Sequence, residues 1–172
     1  MTYTAEYASP LGTITLASDG SSLTGLWLEG QKHFGSSLQK PYCTDHLPLF
    51  DATAAWLDCY FSGSQPSPDA IPLAPQGSSF RQLIWNLLLE IPYGTVVTYG
   101  ELASQAAFLM GKASMSAQAV GNAVSRNPIS LLIPCHRVIG ADGSLTGYAG
   151  GIKRKLFLLQ LENALTNSPA AR

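Results

Sequence analysis

The chain of 172 residues is short of charge: Asp, Glu, Lys and Arg make up only 12% of it, against 46% hydrophobic residues. That balance excludes an intrinsically disordered chain, which carries many charges and too few apolar residues to build a core. Long apolar runs are also missing, and none approaches the roughly 20 residues of a membrane-spanning helix. The amino terminus, Met1-Thr-Tyr-Thr-Ala-Glu6, has neither a basic stretch nor an apolar core, so no secretory signal is expected. There are three cysteines, Cys43, Cys59 and Cys135, which cannot all pair within one chain and whose wide spacing fits no disulfide framework. Together these absences point to a reduced, cytoplasmic protein with no membrane partner. The sequence has no repeat and no phosphate-binding glycine loop. His33, Cys43, His46 and Cys59 are too irregularly spaced for a zinc set, so no metal or other cofactor is expected.

Charge of each sign is unevenly placed. Residues 1–75 carry two lysines against seven carboxylates, a net of −5, whereas residues 76–172 carry eight Lys or Arg against four carboxylates, a net of +4. The basic half is the one expected to face an anion, with nucleic acid the natural choice.

The local patterns divide the chain at the same place. Residues 3–7, 12–18 and 23–28 read as strands, the last two joined by Asp19-Gly20, a hairpin turn signal. Residues 47–62 carry apolar side chains at helical spacing, and Gly63 supplies a stop. The run Ser64-Gln-Pro-Ser-Pro-Asp-Ala-Ile-Pro72 and Pro75 interrupt regular structure, which places a domain boundary between 1–75 and 76–172. The second half begins with Ser79-Phe-Arg-Gln82, a capping-box pattern, ahead of an apolar helix ended by Pro92. Residues 95–97 read as extended. A second capping box, Thr98-Tyr-Gly-Glu101, starts a helix to about Leu109; Gly111-Lys112 turns the chain, and Ser114 or Ser116 caps another helix through Val124. A helix, a glycine turn and a small-residue helix make a helix-turn-helix candidate. The small residues Ala117, Ala119, Gly121 and Ala123 suit either close approach to DNA or simple helix packing. Residues 153–163 form the last helix, and residues 166–172 read as a frayed tail.

The residues with the most chemistry lie between these helices. Leu131, Leu132 and Ile133 read as a short buried strand that Pro134 ends, leaving Cys135 at a strand end with His136 and Arg137 beside it. Most free cysteines are small core hydrophobes. That reading leaves unexplained why an imidazole and a guanidinium, both costly to bury, follow directly. A nucleophilic thiol accounts for all three.

Ile133-Pro-Cys-His-Arg-Val138, preceded by Asn127-Pro128 and followed by Gly147-Tyr-Ala-Gly-Gly151, resembles the O6-alkylguanine-DNA alkyltransferases. The likeness includes Pro92-Tyr-Gly-Thr-Val-Val-Thr-Tyr-Gly100 and Ala119-Val-Gly121, and covers about residues 78–163. The resemblance implies an α+β protein: an N-terminal ribonuclease-like α/β domain and a C-terminal helical domain with a helix-turn-helix. It implies a partner, double-stranded DNA containing O6-alkylguanine, bound through the minor groove by a monomer that turns the damaged base out of the stack. The alkyl group then moves once, irreversibly, to a cysteine.

Position by position, the resemblance makes Cys135 the acceptor, His136 the base, Glu162 the carboxylate that orients it and Tyr99 the donor to the leaving base. Lys155 assists nearby, and Asn127 links the helix-turn-helix to the active-site turn. Arg137 matches a structural arginine. Tyr148, Ala149 and Gly150 match the loop that walls the alkyl pocket. Ser116, Gln118, Ala119, Gly121, Asn122 and Arg126 are the residues expected to face DNA. One departure stands out: Gln118 occupies the position where well-known members have an arginine that fills the gap left by the flipped base. Two other classes remain in view, a sensor that binds alkylated DNA without repairing it and a helix-turn-helix regulator with an incidental thiol. The sensors lack the cysteine that this chain keeps.

Overall fold

The computed structural model of the protein describes residues 1–167. It is a mixed α+β chain in two compact units, one made of Met1–Gln76 with Pro128–Leu132, the other of Gly77–Asn127 with Ile133 onward. Among the described residues, no helix is long and apolar enough to cross a membrane.

The first unit is built on a four-stranded sheet. Strands β1 (Thr2–Ser9), β2 (Gly12–Ser18) and β3 (Leu23–Leu28) pair antiparallel, and β4 (Tyr42–Cys43) adds parallel to β1, giving the order β3-β2-β1-β4. Asp19 forms the β2–β3 turn: its Oδ1 accepts from the backbone N–H of Ser21 and Ser22, while Gly20 takes φ +106°, a conformation that glycine adopts at no steric cost. Helix α1 (Pro48–Phe61) packs on β1 and buries Phe50, Trp56, Leu57 and Tyr60, with proline at its first turn where no N–H is missed. The outer edge of β3 is not left bare. Leu23 exchanges backbone bonds with Pro72 and Ala74, and Leu26 does the same with Pro128 and Ser130. An edge satisfied in this way offers no template for pairing with another chain.

Among the described residues, the second unit holds four α-helices and a two-stranded parallel ribbon. Helices α2 (Ser79–Leu89), α3 (Tyr99–Leu109) and α4 (Ala117–Ser125) pack on one another. Strand β5 (Val97–Thr98) pairs with β6 (Val138–Ile139), and α5 (Ile152–Leu161) buries Lys155, Leu158 and Leu159. The Trp85 indole N–H donates to the Ala123 carbonyl at 2.9 Å, tying α2 to α4. Ala123 is therefore a packing residue, while Ala117 and Ala119 are exposed.

Several local expectations need correction. The first capping box does not form: Ser78, not Ser79, caps α2 by accepting from the Arg81 N–H, so the residue at the third helical position is an arginine that cannot reciprocate. The Thr98–Glu101 box forms in full, and Ser116 caps α4. Residues 131–133 are not a strand. Leu131 sits at φ +71° and Leu132 N–H bonds back to Ser130 O at 2.9 Å, a γ-turn with positive φ that is strained for a leucine. Periodicity sees only three apolar residues in a row and cannot separate a buried turn from a buried strand. The first two residues of the expected tail, Thr166 and Asn167, belong to a 3-10 turn over Ala164–Asn167; residues 168–172 lie outside the described residues.

Candidate active site

Cys135 opens a 3-10 turn, Cys135–Arg137, that projects from a second tight reversal. Pro134, at φ −81° and ψ +65°, makes an inverse γ-turn closed by Cys135 N–H donating to Ile133 O at 2.8 Å. Proline's fixed φ suits this turn, and its missing N–H leaves no donor unpaired there. Because the three residues form a turn and not a strand, successive side chains do not simply alternate between two faces. Cys135, His136 and Arg137 are all buried.

The sulfur is held by its neighbours. Burial pushes the Cys135 thiol up; the Asn127 side chain, the Lys155 charge and the backbone N–H groups of Cys135 and His136 act in the opposite direction. Asn127 follows α4 and also donates through Nδ2 to Ile133 O at 2.8 Å, so one amide braces the turn and reaches the thiol. Lys155 is wholly buried, its ammonium donating to the carbonyls of Val138 and, at 3.3 Å, Thr146. Burial lowers its pKa to about 8, against the attraction of Cys135.

Beside the thiol lies a buried network. His136 Nε2 and Glu162 Oε2 are 2.5 Å apart, and Arg137 donates to both oxygens of Glu162, from Nε at 2.8 Å and from Nη2 at 3.3 Å. Gly94 N–H also donates to Oε1, at 3.2 Å, and Arg137 Nη1 binds Ile91 O at 2.7 Å. Burial alone would raise the Glu162 pKa, but His136 and Arg137 together hold the carboxyl far below the usual range. Burial lowers the His136 pKa and outweighs the attraction of Glu162, so the imidazole is neutral. With an ionised carboxylate as acceptor, Nε2 carries the proton and Nδ1 is the basic nitrogen.

Tyr99, the first residue of α3, donates its hydroxyl to Thr146 O at 3.1 Å, and burial with the nearby Cys135 raises its pKa to about 12. The Lys155 ammonium stands 5.9 Å from its ring centroid. Gly147 makes this approach possible: it has φ +86°, and a Cβ there would lie 2.6 Å from the Tyr99 hydroxyl oxygen. Tyr148 is buried, its hydroxyl has no hydrogen-bond partner among the described residues, and both its burial and the proximity of Cys135 push its pKa well up.

Comparison with known proteins bears on this geometry. Residues 79–164 match the family described as 6-O-methylguanine DNA methyltransferase, DNA binding domain, and residues 2–75 match its ribonuclease-like domain. The chain belongs to this family. A methylated-DNA–protein-cysteine methyltransferase of Haemophilus influenzae is 42% identical over 93% of this chain and 86% of its own length. That of Mycobacterium leprae is 45% identical over 90% and 88%. Among solved structures, Mycobacterium tuberculosis OGT in complex with DNA superposes with a TM-score of 0.79 at 40% identity, covering 99% of this chain and 96% of that one.

Within this methyltransferase chain, Cys135, His136, Glu162, Asn127, Lys155, Tyr99 and Tyr148 converge as described above. Ala149 and Gly150 are partly buried beside Tyr148, whose carbonyl accepts from Gly151 N–H. Ser116, Gln118, Ala119 and Asn122 are exposed on α4, while Gly121 and Arg126 are partly buried, Gly121 close to the Tyr99 ring. Arg137 is a member of the Glu162 network. The sequence reading missed the backbone partners: Ile91 O, Gly94 N–H, Val138 O and Thr146 O. Side-chain identity carries no signal for them, although the positive φ of Gly94 hints at one.

Proposed function

We infer that this chain repairs DNA by moving the alkyl group of O6-alkylguanine onto Cys135, once per molecule. The observation that carries the reading is a buried thiol, hydrogen-bonded by Asn127 and facing the Lys155 charge, beside an imidazole held by the Glu162 carboxylate, in a chain 42% identical to a methylated-DNA–protein-cysteine methyltransferase over most of its length.

The chemistry follows from the groups present. A thiolate is the nucleophile, so the thiol proton must leave. His136 Nδ1 is the basic nitrogen available, acting through a bridging water, while Glu162 fixes the ring and stabilises the imidazolium that forms. Asn127 and the two turn amides favour the anion as it appears. The sulfur attacks the alkyl carbon in line with the carbon–O6 bond; an S–C bond forms, the C–O bond breaks, and guanine keeps the electron pair. Tyr99, whose raised pKa keeps it protonated, donates to a ring nitrogen as charge builds there. The proton taken from sulfur is returned to the base, so guanine leaves neutral and the protein keeps a thioether. That bond is not reopened, and Cys135 is a reagent.

The DNA side of the reading is minor-groove binding by α4, as a monomer, with the damaged base turned out of the stack at a cost of a few kcal/mol. Gln118 fills the vacated space as an uncharged hydrogen-bonding group. The tryptophan-tied helix pair supports a rigid platform for this contact. A reduced cytoplasmic setting suits a reactive thiol and three unpaired cysteines. The test is single-turnover transfer of labelled methyl from duplex DNA. Cys135→Ser should abolish transfer while duplex binding persists; transfer by the serine variant would overturn the reading.

A further inference from the structure

Apart from Ser116, which caps α4, the connection between α3 and α4 takes no part in the site described above. It runs over seven residues, 110–116, where a helix-turn-helix uses about three to four. Its start is well ordered by hydrogen bonds: Met110 N–H bonds to Ala106 O, Gly111 N–H to Phe108 O and Lys112 N–H to Ala107 O, with Gly111 at φ +65°. The helix end is therefore firmly closed, and yet it holds apolar side chains in water. Phe108 is 84% exposed, Leu109 58% and Met110 36%. Three consecutive apolar side chains left in water make a patch of the kind that marks an interaction surface.

Charge decides what the surface fits. From residue 102 to residue 125, through most of α3, the connection and all of α4, the sequence has no Asp or Glu, and Lys112 is its one charge. Phe108 and Lys112 border the same hollow of about 380 Å³, together with Gly100, Ala103, Ala107 and Ala117. Ala117 is the first residue of α4, next to the exposed Gln118. An aromatic beside a lone cation, on a surface free of carboxylates and leading into α4, matches a polyanion with an apolar interior. Phe, Leu and Met are also the side chains that minor-groove proteins wedge against base steps.

We propose that the long α3–α4 connection is a second DNA contact, in which Phe108 packs as an apolar wedge in the minor groove beside the lesion and Lys112 pairs with a flanking phosphate. This rests on the alkyl-transfer reading, since it takes α4 as the DNA-facing helix. The wedge would help open the stack, a task for which Gln118 brings no charge.

The experiment compares the whole wild-type chain with Phe108→Ala and Lys112→Ala, after checking that all three melt alike. Binding to a duplex with one O6-methylguanine is measured by fluorescence anisotropy over a range of salt. Methyl transfer is measured both from that duplex and from free O6-methylguanine base. Phe108→Ala should bind the duplex on the order of tenfold more weakly, the scale of a lost aromatic–base contact, with an unchanged salt slope. Lys112→Ala should reduce the salt slope by about one. Transfer from the free base should be the same in all three. Duplex binding and salt slopes equal to wild type overturn the proposal, as does a loss shared by the free base, which would place the effect on the fold. If Phe108→Ala instead abolishes self-association and leaves duplex binding intact, the surface is a protein interface and the proposal is overturned. A wild-type chain that transfers from neither substrate would fail the alkyl-transfer reading itself, which is a separate result.

Discussion

Glu162 holds His136 through a 2.5 Å contact between Oε2 and Nε2, and neither side chain reaches solvent. The same carboxylate balances Arg137, so one buried acid serves both the imidazole and the guanidinium. Removing it should be severe. Glu162→Ala leaves Arg137 uncompensated in the interior, and we expect a loss on the order of 3–5 kcal/mol, read by chemical denaturation. A variant as stable as wild type would show that the network is dispensable to the fold.

Stability should also fall on acidification, in two stages. The folded pKa of His136 is depressed, so its contribution is present above the unfolded value near 6.5 and declines as pH falls below it. The folded pKa of Glu162 is depressed as well, so a second decline begins below about 4.3, the ordinary carboxylate value. Denaturation midpoints measured from pH 8 to pH 2 check this. His136→Gln should flatten the first decline and leave the second.

Asn127 combines two jobs that a sequence shows as one residue before a proline. Asn127→Ala should slow methyl transfer about 10- to 100-fold, the scale of one hydrogen bond to a developing charge. The loss should be largest at neutral pH and shrink as rising pH ionises the thiol without help. A rate loss that is uniform in pH would assign Asn127 to bracing the turn alone.

Much of this arrangement was legible in the residues. The Thr98–Glu101 box, the Asp19-Gly20 hairpin and the α3–α4 pair follow from local side-chain chemistry, which survives folding because its partners are a few residues apart. Cys135 and His136 stood out because an imidazole and a guanidinium, both costly to bury, directly follow the thiol. Glu162 did not: without the family resemblance it reads as a solvated residue near the end of the last helix, and only the fold brings it to His136, 26 positions away. The turn at residues 131–133 was hidden for another reason. Its shape comes from a positive φ at Leu131 and from contacts to Leu26, neither of which is written in an apolar tripeptide.

Lys155 is a buried cation kept at a cost. A wholly buried ammonium whose pKa falls to about 8 opposes folding at neutral pH, on the order of 3 kcal/mol. Lys155→Met should therefore be at least as stable as wild type at pH 7. Because the unfolded lysine holds its proton to about pH 10.4 while the folded one loses it near 8, wild type gains ground between those values and the gap should narrow. Transfer should slow in the same variant, because the thiolate loses a positive neighbour. Denaturation at pH 7 and pH 10, with single-turnover rates at pH 7, provides the check.

The central claim is that Cys135 is the consumed acceptor. The direct measurement is peptide mass spectrometry after incubation with a stoichiometric duplex containing O6-methylguanine, under conditions where the chain is folded. The account predicts one added methyl group, on the peptide containing Cys135 and not on those containing Cys43 or Cys59, with the DNA returned to guanine. Repaired DNA with an unmodified Cys135, or a methyl group on another residue, would contradict it.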